Sequence, residues 1–213
     1  GYRTLAMNSS GSNNVAVGSF TLSSNTIAAE NIAMGNEALS SNTAAGQNIA
    51  IGYRALYDQS FSNSGTAYAS RNIGVGYGAL YNTNSTTNLN GLGNIGMGFY
   101  ALANNGTGNN NIALGSSAMG SFMTGGGAMS GNANVAIGSA ALKSLTTGSS
   151  NIAIGSLNLN YNSTGIENVG VGVDALFYST NYSGGTAIGT RAMSAYGISG
   201  TGTNDNVAIG FEV

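Results

Sequence analysis

The stretch that decides the fold is Asn48-Ile49-Ala50-Ile51-Gly52-Tyr53-Arg54-Ala55-Leu56. Apolar and small residues alternate with period two over Ile49-Ala50-Ile51, as in a short strand with one face covered. Gly52 ends that strand at a turn where a positive φ costs glycine nothing. The alternation directs Ile49 and Ile51 to one side, read as the interior, and Ala50 to the other. Ala55-Leu56 reads as a second short strand that adds one more inward aliphatic. A helix does not fit, because the apolar residues lack a spacing of three and four and Gly and Asn recur too often.

Outward from this stretch the same pattern returns along the whole chain: NVAVGSFTL from Asn14, NIAMGNEAL from Asn31, NIGVGYGAL from Asn72 and NIGMGFYAL from Asn94. It continues as NIALGSSAM from Asn111, NVAIGSAAL from Asn134, NIAIGSLNL from Asn151 and NVGVGVDAL from Asn168, then GTAIGTRAM from Gly185 and NVAIGFEV from Asn206. Successive motif glycines are 17 residues apart (Gly18, Gly35, Gly52), except where the interval stretches to between 21 and 24. A fixed period near 20 is the mark of a stacked array. The reading is an all-β parallel β-solenoid of about 12 coils, a rod about 55–60 Å long at the ordinary strand spacing. Residues 1–213 form a single array, with lengthened coils near 57–71, 81–93, 120–133 and 194–205. The chain opens and closes inside a motif, which reads as a segment of a longer fibre.

Positions that recur in every coil take structural roles. Asn48 and Asn151 open their strands, either as a stacked ladder of side-chain amides or as turn residues tolerant of left-handed backbone. Ile49, Ile51, Ile152, Ile154 and Leu56 supply the apolar contacts, and Gly52 and Gly155 close the strands. The Ala or Gly between the aliphatics implies close approach of another backbone, either across a flat coil or from a neighbouring chain. Three inward aliphatics per coil make a thin core against an ordering cost of about 1–2 kcal/mol per residue, which argues for self-association.

Composition narrows the function. The 213 residues include 35 Gly but no Pro, Cys, His or Trp, with five basic and seven acidic residues. Missing Pro suits an uninterrupted hydrogen-bond ladder. Missing Cys and His exclude thiolate and imidazole catalysis, zinc fingers and disulfides. Five scattered cations are too few for charge-driven nucleic-acid binding, and no apolar run is long enough for a transmembrane helix. The G-x-G-x-x-G at Gly91–Gly96 lacks the following helix that a dinucleotide site needs. The acidic residues are never paired in sequence, and no regular Asp marks a calcium repeat. No catalytic, cofactor-binding or metal residue is assigned, and no cofactor is expected. Scattered threonines do not form the rows an ice-binding face requires.

The tandem N-[IV]-A-[IV]-G-x-x-A-L copies resemble the head repeats of YadA-like trimeric autotransporter adhesins and the repeat arrays of phage-type tail-fibre proteins. The resemblance spans essentially the whole chain, although the adhesin period is shorter. It implies a side-by-side homotrimer, an extracellular, cell-surface or virion tail-fibre location, and a non-enzymatic role in attachment to a host-surface glycan or protein receptor. A purely structural filament, stacked end to end, is the alternative. No functional residue carries over, because the shared positions are structural. Candidate receptor contacts therefore come from the lengthened coils: Tyr57, Phe61, Tyr68, Arg71 and Tyr81, on the ground that exposed aromatics on a rigid scaffold can stack on ligands. The structural alternative is that Tyr57, Tyr81 and Phe177, which all follow the motif leucine, fill a gap between chains.

Overall fold

In the computed structural model, which describes residues 1–61, 63–83, 86–120, 128–194 and 205–213, almost every coil contributes one three-residue strand. In chain order the strands are β1 (Val15–Val17), β2 (Ile32–Met34), β3 (Ala45–Gly46), β4 (Ile49–Ile51), β5 (Tyr68–Ala69), β6 (Ile73–Val75) and β7 (Ile95–Met97). They continue with β8 (Ile112–Leu114), β9 (Val135–Ile137), β10 (Ile152–Ile154), β11 (Val169–Val171), β12 (Thr186–Ile188) and β13 (Val207–Ile209). Eleven of them form one parallel sheet in the order β1-β2-β4-β6-β7-β8-β9-β10-β11-β12-β13. The fold is the parallel β-solenoid read from the period. Register follows the motif: Ile49 faces Ile73, Ala50 faces Gly74 and Ile51 faces Val75. β3 and β5 pair separately, β5 in the first lengthened coil and β3 in the ordinary coil before it.

Two local expectations are reversed. The small residue points inward: Ala33, Ala50, Ala113, Ala136 and Ala153 are fully buried. The aliphatics expected inside point outward, with Ile51 39%, Ile152 38% and Ile154 39% exposed and Ile49 half-buried. The coil is too thin for the two aliphatic rows of the strand to face inward. A Cβ on Gly96 would lie 2.9 Å from the Ala101 carbonyl oxygen and 3.2 Å from Leu80, so the opposite wall leaves room for alanine at most. Of the two explanations for the restriction to Ala or Gly, the flat coil is the one the single chain displays.

The Ala-Leu pair is also not a strand. Leu22, Leu39, Leu56, Leu80, Leu102, Leu142, Leu159 and Leu176 sit in turns with φ between 49° and 52°. They remain the core, completely buried and stacked with the inward alanines. Left-handed backbone costs a non-glycine residue about 1–2 kcal/mol. The neighbouring coils hold it in place, since the turns are laddered as fully as the strands. The Leu56 N–H donates to the Ala79 carbonyl at 3.0 Å, and that of Leu39 to Ala55 at 3.1 Å. Proline at either leucine would remove a bond from the ladder.

Asn31, Asn48, Asn72, Asn94, Asn111, Asn134, Asn151 and Asn168 are buried and joined up the stack. The Oδ1 of Asn111 accepts both the backbone N–H and the Nδ2–H of Asn134, each at 3.0 Å. Asn134 Oδ1 does the same for Asn151 at 3.0 Å. The ladder is thus the structural role these residues play. A second buried polar column had not been expected: Asn25, Asn42, Gln59, Thr83, Asn105, Asn162 and Ser179, each three residues after the core leucine of its coil. Here Nδ2 of Asn42 closes a turn on the Ala45 carbonyl at 2.9 Å, and Asn105 does so on Gly108 at 2.9 Å.

Replacing Ala153 with Leu should lower the melting temperature sharply, because overpacking a full core costs about 1–3 kcal/mol or more; thermal circular dichroism checks it. Asn111→Ala strips the buried Asn134 backbone N–H of its acceptor, a loss of about 1–3 kcal/mol. Hydrogen exchange should show reduced protection at that amide.

Candidate functional site

Between the motif glycine and the core leucine, the two variable residues and the residue after the leucine form columns up the outside of the stack. In three successive coils these columns turn aromatic. Tyr53, Tyr77 and Phe99 each follow a motif glycine, with ring centroids 4.9 Å apart for the first pair (28° between planes) and 5.5 Å for the second (25°). Tyr57 and Tyr81 each follow the leucine and stack at 5.1 Å and 12°. Both spacings are close to the coil rise of about 4.8 Å, so the backbone ladder sets the separation of the rings.

Arg54 lies between the two columns. Its guanidinium carbon is 5.0 Å from the centre of the Tyr53 ring and 5.3 Å from that of Tyr57, within cation–π range. Nε also holds the Glu37 carboxylate of the preceding coil at 2.6 Å. That hydrogen bond raises the Arg54 pKa still further and leaves the pair electrically neutral.

In the next coil the column of Arg54 is occupied by Gly78, and this choice is spatial. The backbone there has φ 60°, a conformation that Arg54 and Tyr100 adopt in the same column at 53° and 49°. A Cβ on Gly78 would lie 2.5 Å from Cε1 of Tyr100. The notch at Gly78 therefore seats the Tyr100 ring, which stands edge-on to Tyr77 (5.4 Å, 72°) and to Phe99 (4.7 Å, 83°). Burial raises the pKa of the Tyr100 phenol, and a hydrogen bond with Tyr77 adds to the shift. Burial also raises that of Tyr81, partly offset by the nearby Arg54 charge. The outer rim stays open, with Tyr77 45% and Phe99 54% exposed.

Of the residues expected to contact a receptor, Tyr57 and Tyr81 fall in this patch. The other three find different neighbours. Phe61 meets Tyr68 edge-on at 5.8 Å. Arg71 donates to Gln47 Oε1 at 3.1 Å, and Gln47 in turn donates to Glu30 at 2.9 Å, a side-chain ladder running across three coils. Tyr53, Tyr77, Phe99 and Tyr100 went unselected because they occupy the variable positions of the motif. Reading those positions down the columns would have found them.

A second aromatic group lies on the same side of the motif five coils further on. Tyr161 stacks on Tyr178 (5.6 Å, 14°) and meets Phe177 edge-on (5.1 Å, 88°). Arg191 beside it pairs with Glu212 and lies 4.0 Å from Asp174. Among the described residues no group of three His, Cys, Asp or Glu side chains is placed to hold a metal ion, and no helix is long and apolar enough to cross a membrane. Chemically the patch offers ring surface, phenolic hydroxyls and a neutralised guanidinium.

On alkaline titration followed by phenolate absorbance, Tyr81 and Tyr100 should ionise above the ordinary tyrosine value of about 10. Since folding raises both pKa values, the stability they contribute is complete below the ordinary tyrosine value of about 10 and falls as pH rises beyond it. Tyr81→Phe with Tyr100→Phe should remove the late component. No known protein family matches the chain, nor does any curated protein or solved structure.

Proposed function

We propose that the chain is a non-enzymatic segment of an attachment fibre, at a cell surface or on a virion tail, in which three copies lie side by side as a stiff shaft or head. The observation that carries this reading is the outer face of the eleven-stranded sheet. Two columns of Ile, Val, Met and Leu run its full length, and Thr186 is their single polar member. Val15 is 50% exposed, Met34 43%, Met97 44% and Ile188 40%. Together these side chains make one continuous apolar face along the whole sheet, whereas the largest patch on an ordinary monomer is roughly 300–600 Å². A specific interface needs about 800 Å² from each partner. A face of this size, uncharged and regular, supports burial against other copies of the chain.

The number three comes from the resemblance of the repeats to trimeric adhesin heads and tail-fibre arrays. The backbone ladder through the described strands and turns supports the mechanical part of the reading, because bending the rod would break bonds in several coils together.

Light scattering and sedimentation on the purified chain should give a three-chain mass. The double change Ile51→Asp, Ile154→Asp places charge on the proposed interface and should yield single chains that retain a β-type circular dichroism spectrum. A monomeric wild-type chain that melts cooperatively overturns the side-by-side assembly. A mass that grows with concentration favours an end-to-end filament instead.

A further inference from the structure

We propose that the aromatic columns around Arg54 and the Gly78 notch bind an uncharged polysaccharide lying parallel to the solenoid axis. This rests on the reading of the chain as an attachment fibre and adds to it a ligand class and a place.

Phe99 is the key ring. One of its faces is covered by Tyr77 at 5.5 Å. The next coil carries Ser116 in the same column, a side chain too small to cover the other, and Phe99 is 54% exposed. An open aromatic face beside small residues can stack on the C–H face of a pyranose. Beyond it the column continues as Ser116, Ser139 and Ser156, the first two exposed, which places hydroxyls at one per coil. Before it, Tyr53 and Tyr77 continue the column as a stacked pair, with Tyr77 45% exposed. A rise of about 4.8 Å per coil is close to the length of one extended pyranose unit, so a linear glycan can remain in step with the columns over several coils.

Charge and size choose the ligand. Arg54 is neutralised by Glu37 at 2.6 Å, and Arg191 in the second aromatic group is paired with acids as well, so neither patch offers the free cation that an acidic glycan requires. The rings span three coils, roughly 10–15 Å, too narrow a strip for the ~800 Å² that a protein partner would cover. The second group, with Phe177 in the column of Tyr57 and Tyr81, lies about 24 Å along the rod from Tyr81. A polymer long enough to touch both gains avidity over a short oligosaccharide.

The test uses the full chain in its native assembly. Affinity electrophoresis in gels containing hydroxyethylcellulose, xyloglucan or galactomannan should retard the wild-type chain in at least one. Phe99→Ala and Tyr77→Ala should cut that retardation at least tenfold, with melting temperature and sedimentation unchanged. Gly78→Ala, which displaces the Tyr100 ring, should weaken it by a smaller factor. The chain has no Trp, and five of its 11 tyrosines (Tyr53, Tyr57, Tyr77, Tyr81 and Tyr100) lie in the patch, so tyrosine emission reads binding directly. No retardation in any neutral gel overturns the proposal, as does equal retardation of wild type and Phe99→Ala. Retardation confined to a dextran sulfate gel overturns the assignment to an uncharged ligand. Dissociation of the assembly by Phe99→Ala would show the rings to be packing between chains, and would also overturn it. A stable trimer that ignores every glycan sinks this site and leaves the fibre reading standing.

Discussion

Every coil is anchored to the next through its motif glycine, and two demands meet there. The backbone stands near φ 130°, a conformation closed to L side chains: 130° at Gly52, 133° at Gly138 and 132° at Gly155. The neighbouring coil also arrives at the one place a side chain would occupy, since a Cβ on Gly52 would sit 2.5 Å from the Gly76 carbonyl oxygen and one on Gly138 2.5 Å from that of Gly155. Glycine therefore stacks directly over glycine, and the register of the solenoid cannot slip by even one residue. From that alignment follow the Ile-over-Ile strand pairs, the leucine turns and the asparagine ladder.

The close approach also sets the thickness of the coil, and thickness decides what lies inside. A wall this near leaves room for one leucine row flanked by alanines, those of the strands (Ala50, Ala136) and those just before the leucines (Ala55, Ala141). The bulkier aliphatics are excluded to the outer face of the sheet, where they need a partner. Meanwhile an ordinary coil holds two or three non-glycine residues in left-handed backbone, as at Glu37, Leu39 and Gln47. At about 1 kcal/mol or more for each, no isolated coil could offset that cost with so small a core. Stability belongs to the stack, in which each coil supplies its neighbour with backbone bonds and asparagine acceptors.

The period, the parallel stacking, the glycine turns and one of two readings of the asparagines were legible in the sequence. The facing of the strands was not, for a reason built into alternation. Ile49-Ala50-Ile51 has the same period whichever side faces in, and a swap of sides preserves every feature of the pattern. The restriction of one side to Ala and Gly was visible and held the answer. Choosing between a thin coil and a neighbouring chain required the distance to Ala101 and Leu80 across the interior. The second polar column escaped because Asn25, Asn42 and Asn105 share it with Gln59, Thr83 and Ser179, so no single residue type repeats.

The candidate site was half legible for a related reason. The lengthened coils differ in only one part of the contour. Glycine to leucine is four residues in every complete copy, whereas leucine to the next asparagine is nine from Leu39 to Asn48 and sixteen from Leu56 to Asn72. Tyr57 and Tyr81 stand where the insertions begin and are legible there. Tyr53, Tyr77, Phe99 and Tyr100 lie instead in the segment of constant length, where the motif leaves two positions variable. On a solenoid, however, the constant segment is the better platform. Its side chains are spaced by the backbone ladder rather than by a loop, and a site on such a frame loses less freedom when it meets a ligand that is itself a repeating chain. Insertions can vary from coil to coil without disturbing it, because the ladder closes over them through the same asparagines and glycines.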